Sequence, residues 1–395
     1  MTLPDNEILT SLVARVFRIQ DVTALDPQKG PLLRYHGNLL GDDSVAAYDQ
    51  LSESLQVYGL TPLFRLEKGE QIIYLIRTPA PQKPANPWIN LALFVFTVFS
   101  VMFAGADPQG PVPADLIGQL LAQLKAIFSG WPFALSLMGI LVAHEFGHYL
   151  VSRYHRTPAS LPYFIPLPLP PLGTLGAAIL MKGIPKNKRI LFDIGVAGPL
   201  AGMLVAIPVL FLGLSMSSLD RIAATPMAFM EGNSLAYLLA KYLVFGRLLP
   251  EPATFSGLSP LLYWLKYFFT GQPFPVGGMD VFISPVAFAG WAGLLVTALN
   301  LIPAGTLDGG HVVHALFGDR ARKAFPYIIA VLVALGFFWN GWWLWAALLF
   351  WLGRVNAETL DQITPLDPTR RVVAVLVILL FVLVFTPVPF SVFQA

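Results

Sequence analysis

The stretch Leu141-Val142-Ala143-His144-Glu145-Phe146-Gly147-His148-Tyr149-Leu150-Val151 sets two imidazoles four residues apart inside an apolar run. On an α-helix, residues i and i+4 share a face one turn apart. His144 and His148 can therefore bind one Zn²⁺, with Glu145 placed beside the water that such an ion holds. His144 lies nine residues before Arg153, which is about 14 Å along a helix. Two imidazoles and a carboxylate at that depth in a transmembrane helix are expensive and mark function by default. The plainer alternative, polar groups that only bond neighbouring helices, explains the spacing poorly.

The whole chain supports a membrane setting. Of 395 residues, 55% are apolar and 12% charged, and the mean hydropathy is +0.65. A soluble domain carries about 25% charged residues, and a single core stops growing at about 250–300 residues. The expected fold is an all-α polytopic membrane protein of about six to eight transmembrane spans. Spans are placed near 88–106, 132–153, 189–214, 281–302 (continuing irregularly to about 317), 324–338, 341–353 and 371–388. Two further apolar pieces, Leu235–Leu249 and Leu258–Phe269, read as interfacial or re-entrant. The lipid bilayer is thus one expected partner. The net charge of +2 argues against nucleic acid. Cysteine is absent, which excludes disulfides, thiolate metal sites and cysteine nucleophiles. The start, Met1 to Glu7, has neither a basic nor an apolar region, so no signal peptide is expected.

Residues 1–85 differ from the rest, with eight Lys/Arg and ten Asp/Glu. Alternating runs around Lys68-Gly69 read as a hairpin, and Val45, Ala46, Leu51, Leu55 and Val57 fall at helical spacing. A small soluble α+β domain is expected there, cytoplasmic and regulatory in role. Residues 86–395 would form the membrane domain, joined through a stiff linker, Pro79–Pro87. Six basic residues lie in 153–189 against one, Lys125, in 107–131. That asymmetry puts the C-terminal end of the second span, and with it the N-terminal domain, on the cytoplasmic side. Phe164–Pro171 cannot be helical; with Leu172–Ile184 it reads as a re-entrant hairpin beside the site, or else as a surface loop.

A catalytic zinc needs a third protein ligand and an open position. His155, His311, His314, Asp193, Glu231, Asp280, Asp308 and Asp319 are candidates. Asp308 stands out at the end of an apolar span, where Pro303 and Gly305 interrupt the helix and Gly309-Gly310 permit close backbone approach. The alternative, an N-cap of a helix over 309–317, is the less favoured role and could coexist with ligation. His311 and His314 either line the cavity or pack in it, and packing is preferred because neither completes a spacing that the ligand set needs.

His144-Glu145-x-x-His148, followed about 160 residues later by Asn300-x-x-Pro303-x-x-x-x-Asp308-Gly309, resembles the site-2 protease family of intramembrane zinc metalloproteases. Gly173-Thr174-Leu175-Gly176-Ala177, Phe192 to Gly202, Gly232-Asn233-Ser234 and Thr364 to Arg370 extend the likeness to the bacterial and chloroplast-type branch without a PDZ domain. The resemblance implies one zinc per chain on His144, His148 and Asp308, with Glu145 as general base. It implies Asn300 as a catalytic residue steadying the substrate or oxyanion, and Gly173, Thr174, Gly176 and Asn300 as substrate-binding residues. The implied substrate is a transmembrane segment of a single-span protein, and the implied location is multi-pass in a bacterial plasma membrane. The likeness departs at Ser284, where related sequences carry His. A divalent-metal transporter and a catalytically silent homologue that binds membrane proteins are the competing readings. The oligomeric state is not legible. In this cysteine-free chain, single cysteines introduced between 110 and 120 should label from outside and one at 186 from the cytoplasm; the reverse labelling pattern would overturn the orientation.

Overall fold

A computed structural model describes residues 5–25, 31–80, 86–110, 113–222, 227–318, 320–352 and 358–394. The core of the expected linker, 81–85, and the candidate ligand Asp319 lie outside the described residues.

Near the N-terminus, α1 (Asn6–Ala14) and α2 (Ser44–Gln56) accompany a four-stranded antiparallel sheet. Its strands are β1 (Phe17–Ala24), β2 (Leu33–Leu39), β3 (Leu60–Glu67) and β4 (Glu70–Arg77), in the order β1-β2-β4-β3. Asp43 caps α2 by accepting from the amides of Val45 and Ala46, and Tyr48, Leu51 and Leu55 bury against Phe64, Ile73 and Leu75. β3 and β4 turn through Lys68 and Gly69, both at positive φ (52° and 92°), the geometry that suits a two-residue hairpin.

The remainder is mostly helical. α3 (Pro87–Ala104) starts at the Asn86 cap, and α4 (Leu116–Lys125) leads through a 3₁₀ turn into α5 (Trp131–Tyr154). β5 (Tyr163–Pro166) and β6 (Thr174–Ala178) pair as an antiparallel hairpin, so the expected re-entrant segment is a hairpin of two strands. α6 (Lys188–Ser215) follows, then β7 (Ser218–Arg221), β8 (Met227–Glu231), α7 (Leu235–Phe245), α8 (Pro260–Thr270) and β9 (Met279–Phe282). α9 (Pro285–Asn300), α10 (Asp308–Phe317), α11 (Arg320–Leu335), α12 (Gly341–Leu352), α13 (Pro368–Val384) and β10 (Phe390–Gln394) complete the chain. β7 pairs with β9 and β8 with β10, which corrects the all-α expectation.

Among the described residues, three helical segments are long and apolar enough to cross a membrane: α3 with 18 residues, Ile127–Tyr154 with 28 and α6 with 28. α9, α11, α12 and α13 run 16, 16, 12 and 17 residues, so the structure does not establish six to eight spans. α9 is short because residues 279–282 are taken by β9, and Ser284 then starts the helix by accepting from the Ala287 amide.

α5, α6 and α9 pack on one another through positions with no room for a side chain. A Cβ on Gly147 would stand 2.6 Å from the Ala197 carbonyl, one on Gly290 2.6 Å from the Leu210 Cα, and one on Gly213 would overlap the Ala287 amide. Without a hydrophobic drive between helices in lipid, such close approach is what holds them together.

A late segment ties the N-terminal unit to this bundle. The Leu360 and Asp361 amides donate to the carbonyls of Pro185 (3.0 Å) and Lys186 (2.7 Å). On the other side, the Phe64 amide donates to Leu360 (2.9 Å) and the Gln362 amide to Phe64 (3.0 Å). The Ser44 and Thr364 hydroxyls meet at 2.7 Å in a buried contact. A Ser44→Cys/Thr364→Cys pair should therefore crosslink on oxidation, seen as a reductant-sensitive shift in gel mobility; no crosslink would show that the unit is not seated here.

Candidate metal centre

α5 carries His144, Glu145 and His148, all buried. The two imidazoles meet edge to face one turn apart, with centroids at 4.9 Å. They lie against the glycine-bearing face of α6: a Cβ on Gly198 would overlap the His148 ring, and one on Gly202 would stand 3.2 Å from the His144 ring. The spacing Gly195, Gly198, Gly202 follows one helix face, and it leaves the volume that the histidines fill.

His148 Nδ1 lies 2.7 Å from the Ile194 carbonyl. A carbonyl only accepts, so Nδ1 carries the proton and Nε2 of the neutral ring presents its lone pair, which is the usual way a ligating histidine is oriented. The third member arrives from α10. After α9, the chain turns through residues 301–307, with Gly305 at φ 59°. Cβ atoms on Gly309 and Gly310 would overlap the carbonyls of Leu301 and Gly305, so only glycine lets the first turn of α10 tuck under this bend. Asp308 is the first residue of α10, and Leu307 holds the N-cap position without a side-chain cap bond. The Asp308 carboxylate is thus not used for capping.

It reaches the histidines instead. Asp308 Oδ2 stands 3.4 Å from His144 Nε2 and 3.3 Å from His148 Nε2, and the two nitrogens are 3.2 Å apart. These three residues can hold a metal ion. A tetrahedral zinc with bonds of about 2.0–2.1 Å sets neighbouring ligand atoms about 3.3–3.4 Å apart, so the triangle fits that ion without rearrangement. Asn300, at the end of α9, places its amide nitrogen 3.2 Å from His144 Nε2.

The group opens into a cavity of about 630 Å³ whose wall includes Glu145, Asn300, Asp308, His311 and residues 177–181 of the hairpin arm. Gly173, Thr174 and Gly176 are not on that wall. Gly173 lies against α3, its carbonyl accepting from Ser100 Oγ (2.6 Å), and Thr174 Oγ1 donates to Ile165 (2.8 Å) while accepting from the Gly176 amide (2.9 Å). They shape the hairpin whose next residues face the site. Among the other candidate ligands, His155 pairs with Asp193 (2.9 Å), Asp280 with Lys241 (3.4 Å) and Glu231 with Tyr237 (2.8 Å). Ser284 donates to the Gly213 carbonyl (2.8 Å) and is not on the wall. His311 faces the cavity, contrary to the packing expected, whereas His314 is buried outside it. Sequence reading missed Thr306, Leu307 and Glu358 as wall residues; for Glu358, some fifty residues past Asp308, no local pattern signals it.

Because the Gly198 position abuts His148, Gly198→Ala should lower bound zinc well below one per chain in the purified protein. Gly139→Ala on α5, where a Cβ meets nothing within 4 Å, should leave zinc unchanged. Equal zinc in both would show that this helix contact does not shape the site.

The profile of Peptidase family M50 matches residues 132–339, just over half of the chain. The protein named probable zinc metalloprotease EGY2, chloroplastic, of Oryza sativa subsp. indica is 28% identical over 382 residues, covering 93% of this chain and 64% of that protein. Its Arabidopsis thaliana namesake is 28% identical over 404 residues, covering 99% and 66%. Probable zinc metalloprotease EGY1, chloroplastic, of Oryza sativa subsp. japonica is 30% identical over 333 residues, covering 78% and 51%. The chain thus spans less than two thirds of the length of these relatives. No solved structure matches it. The relatives' names place them in chloroplasts, so the expectation of a bacterial plasma membrane finds no support. The motif pair, the profile match and the relatives agree: the chain belongs to peptidase family M50, the site-2 protease family.

Proposed function

We propose that this protein is an intramembrane zinc endopeptidase that hydrolyses peptide bonds within or near transmembrane segments of single-span membrane proteins. One observation carries the reading: the 3.2–3.4 Å triangle of His144, His148 and Asp308, the size of a tetrahedral zinc face, has both of its histidines on a helix long and apolar enough to cross a membrane. A zinc ion held there supplies Lewis acidity and lowers the pKa of a water toward neutrality.

The chain's own residues do the rest. Glu145, next to His144 on α5 and on the same cavity wall, takes the proton of the attacking water and passes it to the leaving amine. The Asn300 amide donates to the carbonyl oxygen as negative charge develops on it. A helical segment hides its carbonyls in its own hydrogen bonds, so substrates are cut where Gly, Pro or Asn loosens the helix. The β5–β6 hairpin can receive such an unwound stretch by strand addition, held in place by Gly173, Thr174 and Gly176. Residues 1–85 act as a separate cytoplasmic unit on the side of the basic 153–189 segment, and residues 86–395 form the peptidase domain. A transporter would need ligands beyond this group, and among the described residues it is the one cluster of three His/Cys/Asp/Glu able to hold a metal.

Purified protein should contain about one zinc per chain, and His148→Ala and Asp308→Ala should each lose most of it. Glu145→Gln should retain zinc and cut a co-expressed single-span reporter about 10²–10⁴-fold more slowly. Undiminished cleavage would remove Glu145 as the base, and unchanged zinc in both ligand variants would remove the ligand set.

A further inference from the structure

The segment 358–364 does more than fasten the N-terminal unit. Asp361 is bridged in parallel to Phe64 on one side and to Asn187 on the other, so the sheet continues from β3 through this segment to the arm that leads from the cavity into α6. The segment is fixed from residue 359 onward. Arg65 Nη1 donates to the carbonyls of Thr359 (2.9 Å) and Leu360 (3.2 Å), Thr359 Oγ1 donates to Asp361 (2.9 Å), and the buried Asp361 carboxylate accepts from the Ile363 amide (2.8 Å). Glu358 is the residue immediately before this fixed stretch, and it stands on the wall of the same cavity as His144 and Glu145.

Its carboxylate is only partly engaged. Among the described residues its ion-pair partner is Arg65, whose Nη2 stands 3.5 Å away, the longest contact that guanidinium makes, and the Glu358 side chain remains 61% exposed. Among the described residues of the wall there is no Lys or Arg, and Glu358 is the acid remaining beside Glu145 and Asp308. The adjoining arm carries Lys182, Lys186, Lys188 and Arg189, of which Lys186 pairs with Asp49 and Arg189 donates to the Pro365 carbonyl. An approaching cationic side chain therefore meets this exposed carboxylate on a wall that carries no cation of its own, with Glu145 buried and Asp308 engaged at the metal centre.

We infer that Glu358 is a specificity-determining residue that receives a Lys or Arg side chain flanking the cleaved segment of the substrate. This rests on the peptidase reading above. Single-span proteins carry such cations at the cytoplasmic end of their apolar stretch, which is the end that enters a cavity lying close to the basic end of α5. The N-terminal unit, through Arg65 and Phe64, holds the segment that positions this carboxylate.

The test uses two single-span reporters that differ only in the residues flanking the apolar segment, one with Lys/Arg and one with Glu. Cleavage is measured in the otherwise wild-type protein, and capture by co-purification in the Glu145→Gln background. The wild type should prefer the Lys/Arg reporter, Glu358→Gln should reduce that preference about three- to fivefold, as suits a partly exposed ion pair, and Glu358→Arg should invert it, in cleavage and in capture alike. Capture that discriminates as described while the wild type cuts neither reporter would overturn the peptidase reading and keep the recognition role. Cleavage of both reporters with ratios unchanged by Glu358→Arg would overturn the recognition role and keep the peptidase. Arg65→Lys, which keeps the charge and loses the fork of carbonyl contacts, should weaken discrimination while leaving bound zinc at the wild-type level; a loss of zinc instead would mark Arg65 as structural support for the metal site.

Discussion

The structure turns on the closure of one triangle, where the Asp308 carboxylate meets the His144 and His148 imidazoles about 3.3 Å away. Three electron-rich atoms facing one another at that distance inside an apolar bundle repel, and burial of an unpaired carboxylate costs several kcal/mol. A divalent cation at the centre reverses the sign of every term. The packing around it follows from that need. Gly198 and Gly202 remove side chains where the rings lie, Gly309 and Gly310 remove them where the chain doubles back, and the Ile194 carbonyl fixes the ring that α6 would otherwise leave free to turn. None of these residues holds an ion, yet a side chain at Gly198 or Gly309 would displace one that does.

Legibility in the sequence followed the distance over which each feature is specified. The histidine pair is local, so a four-residue spacing is enough to place both rings on one helix face. α2 and the β3–β4 hairpin were readable for the same reason: Asp43 supplies a cap within three residues, and Lys68-Gly69 supplies the turn. Asp308 was singled out because the helix break before it was visible, but whether its carboxylate caps a helix or faces the histidines depends on how Leu301 and Gly305 pack, and spacing does not encode that. β8 and β10 were not foreseen, since each is five residues long and its partner lies about 160 residues away. β1 escaped because, after Phe17, nearly all of it is exposed and a bulge at Ile19/Asp21 breaks its alternation. The glycine and threonine of Gly173-Thr174-Leu175-Gly176 form a recognisable stretch, yet they build the hairpin, and the residues that face the cavity come directly after.

The structure leaves the span count unestablished for a related reason. Hydropathy averages over windows near the membrane thickness, and it does not register that Met279–Phe282 gives its backbone bonds to β7. Where strands and caps intervene, an apolar run becomes a shorter helix, as in α9 with 16 residues. Strand backbone at such places is tolerated because its bonds are satisfied within the protein or line a cavity. The β7–β9 and β8–β10 pairs meet that condition, and Trp291 Nε1 on α9 donates to the Gly232 carbonyl (2.8 Å) at the end of β8, binding the strands to the central helices.

The site's parts also arrive in an order that constrains how it can be assembled. The histidines lie on α5, Asn300 and Asp308 some 155–165 residues later, and Glu358 later still. Contacts of such sequence separation form only after large loops have closed, and their entropy must be offset by packing already in place. α5 and α6 can supply that packing early, because their contact runs the length of Gly147 and Ala197 to Gly202 and His144. The pair of imidazoles then stands ready, but the third ligand is absent until α10 tucks beneath α9. Metal binding favours whichever state presents all three ligands, so a bound ion stabilises the docked α10 and not the isolated helix pair. The same logic extends outward: the segment that carries Glu358 is held by the N-terminal unit on one side and the arm before α6 on the other. The cavity wall is therefore complete only once Arg65 and Leu360, 295 residues apart, have met.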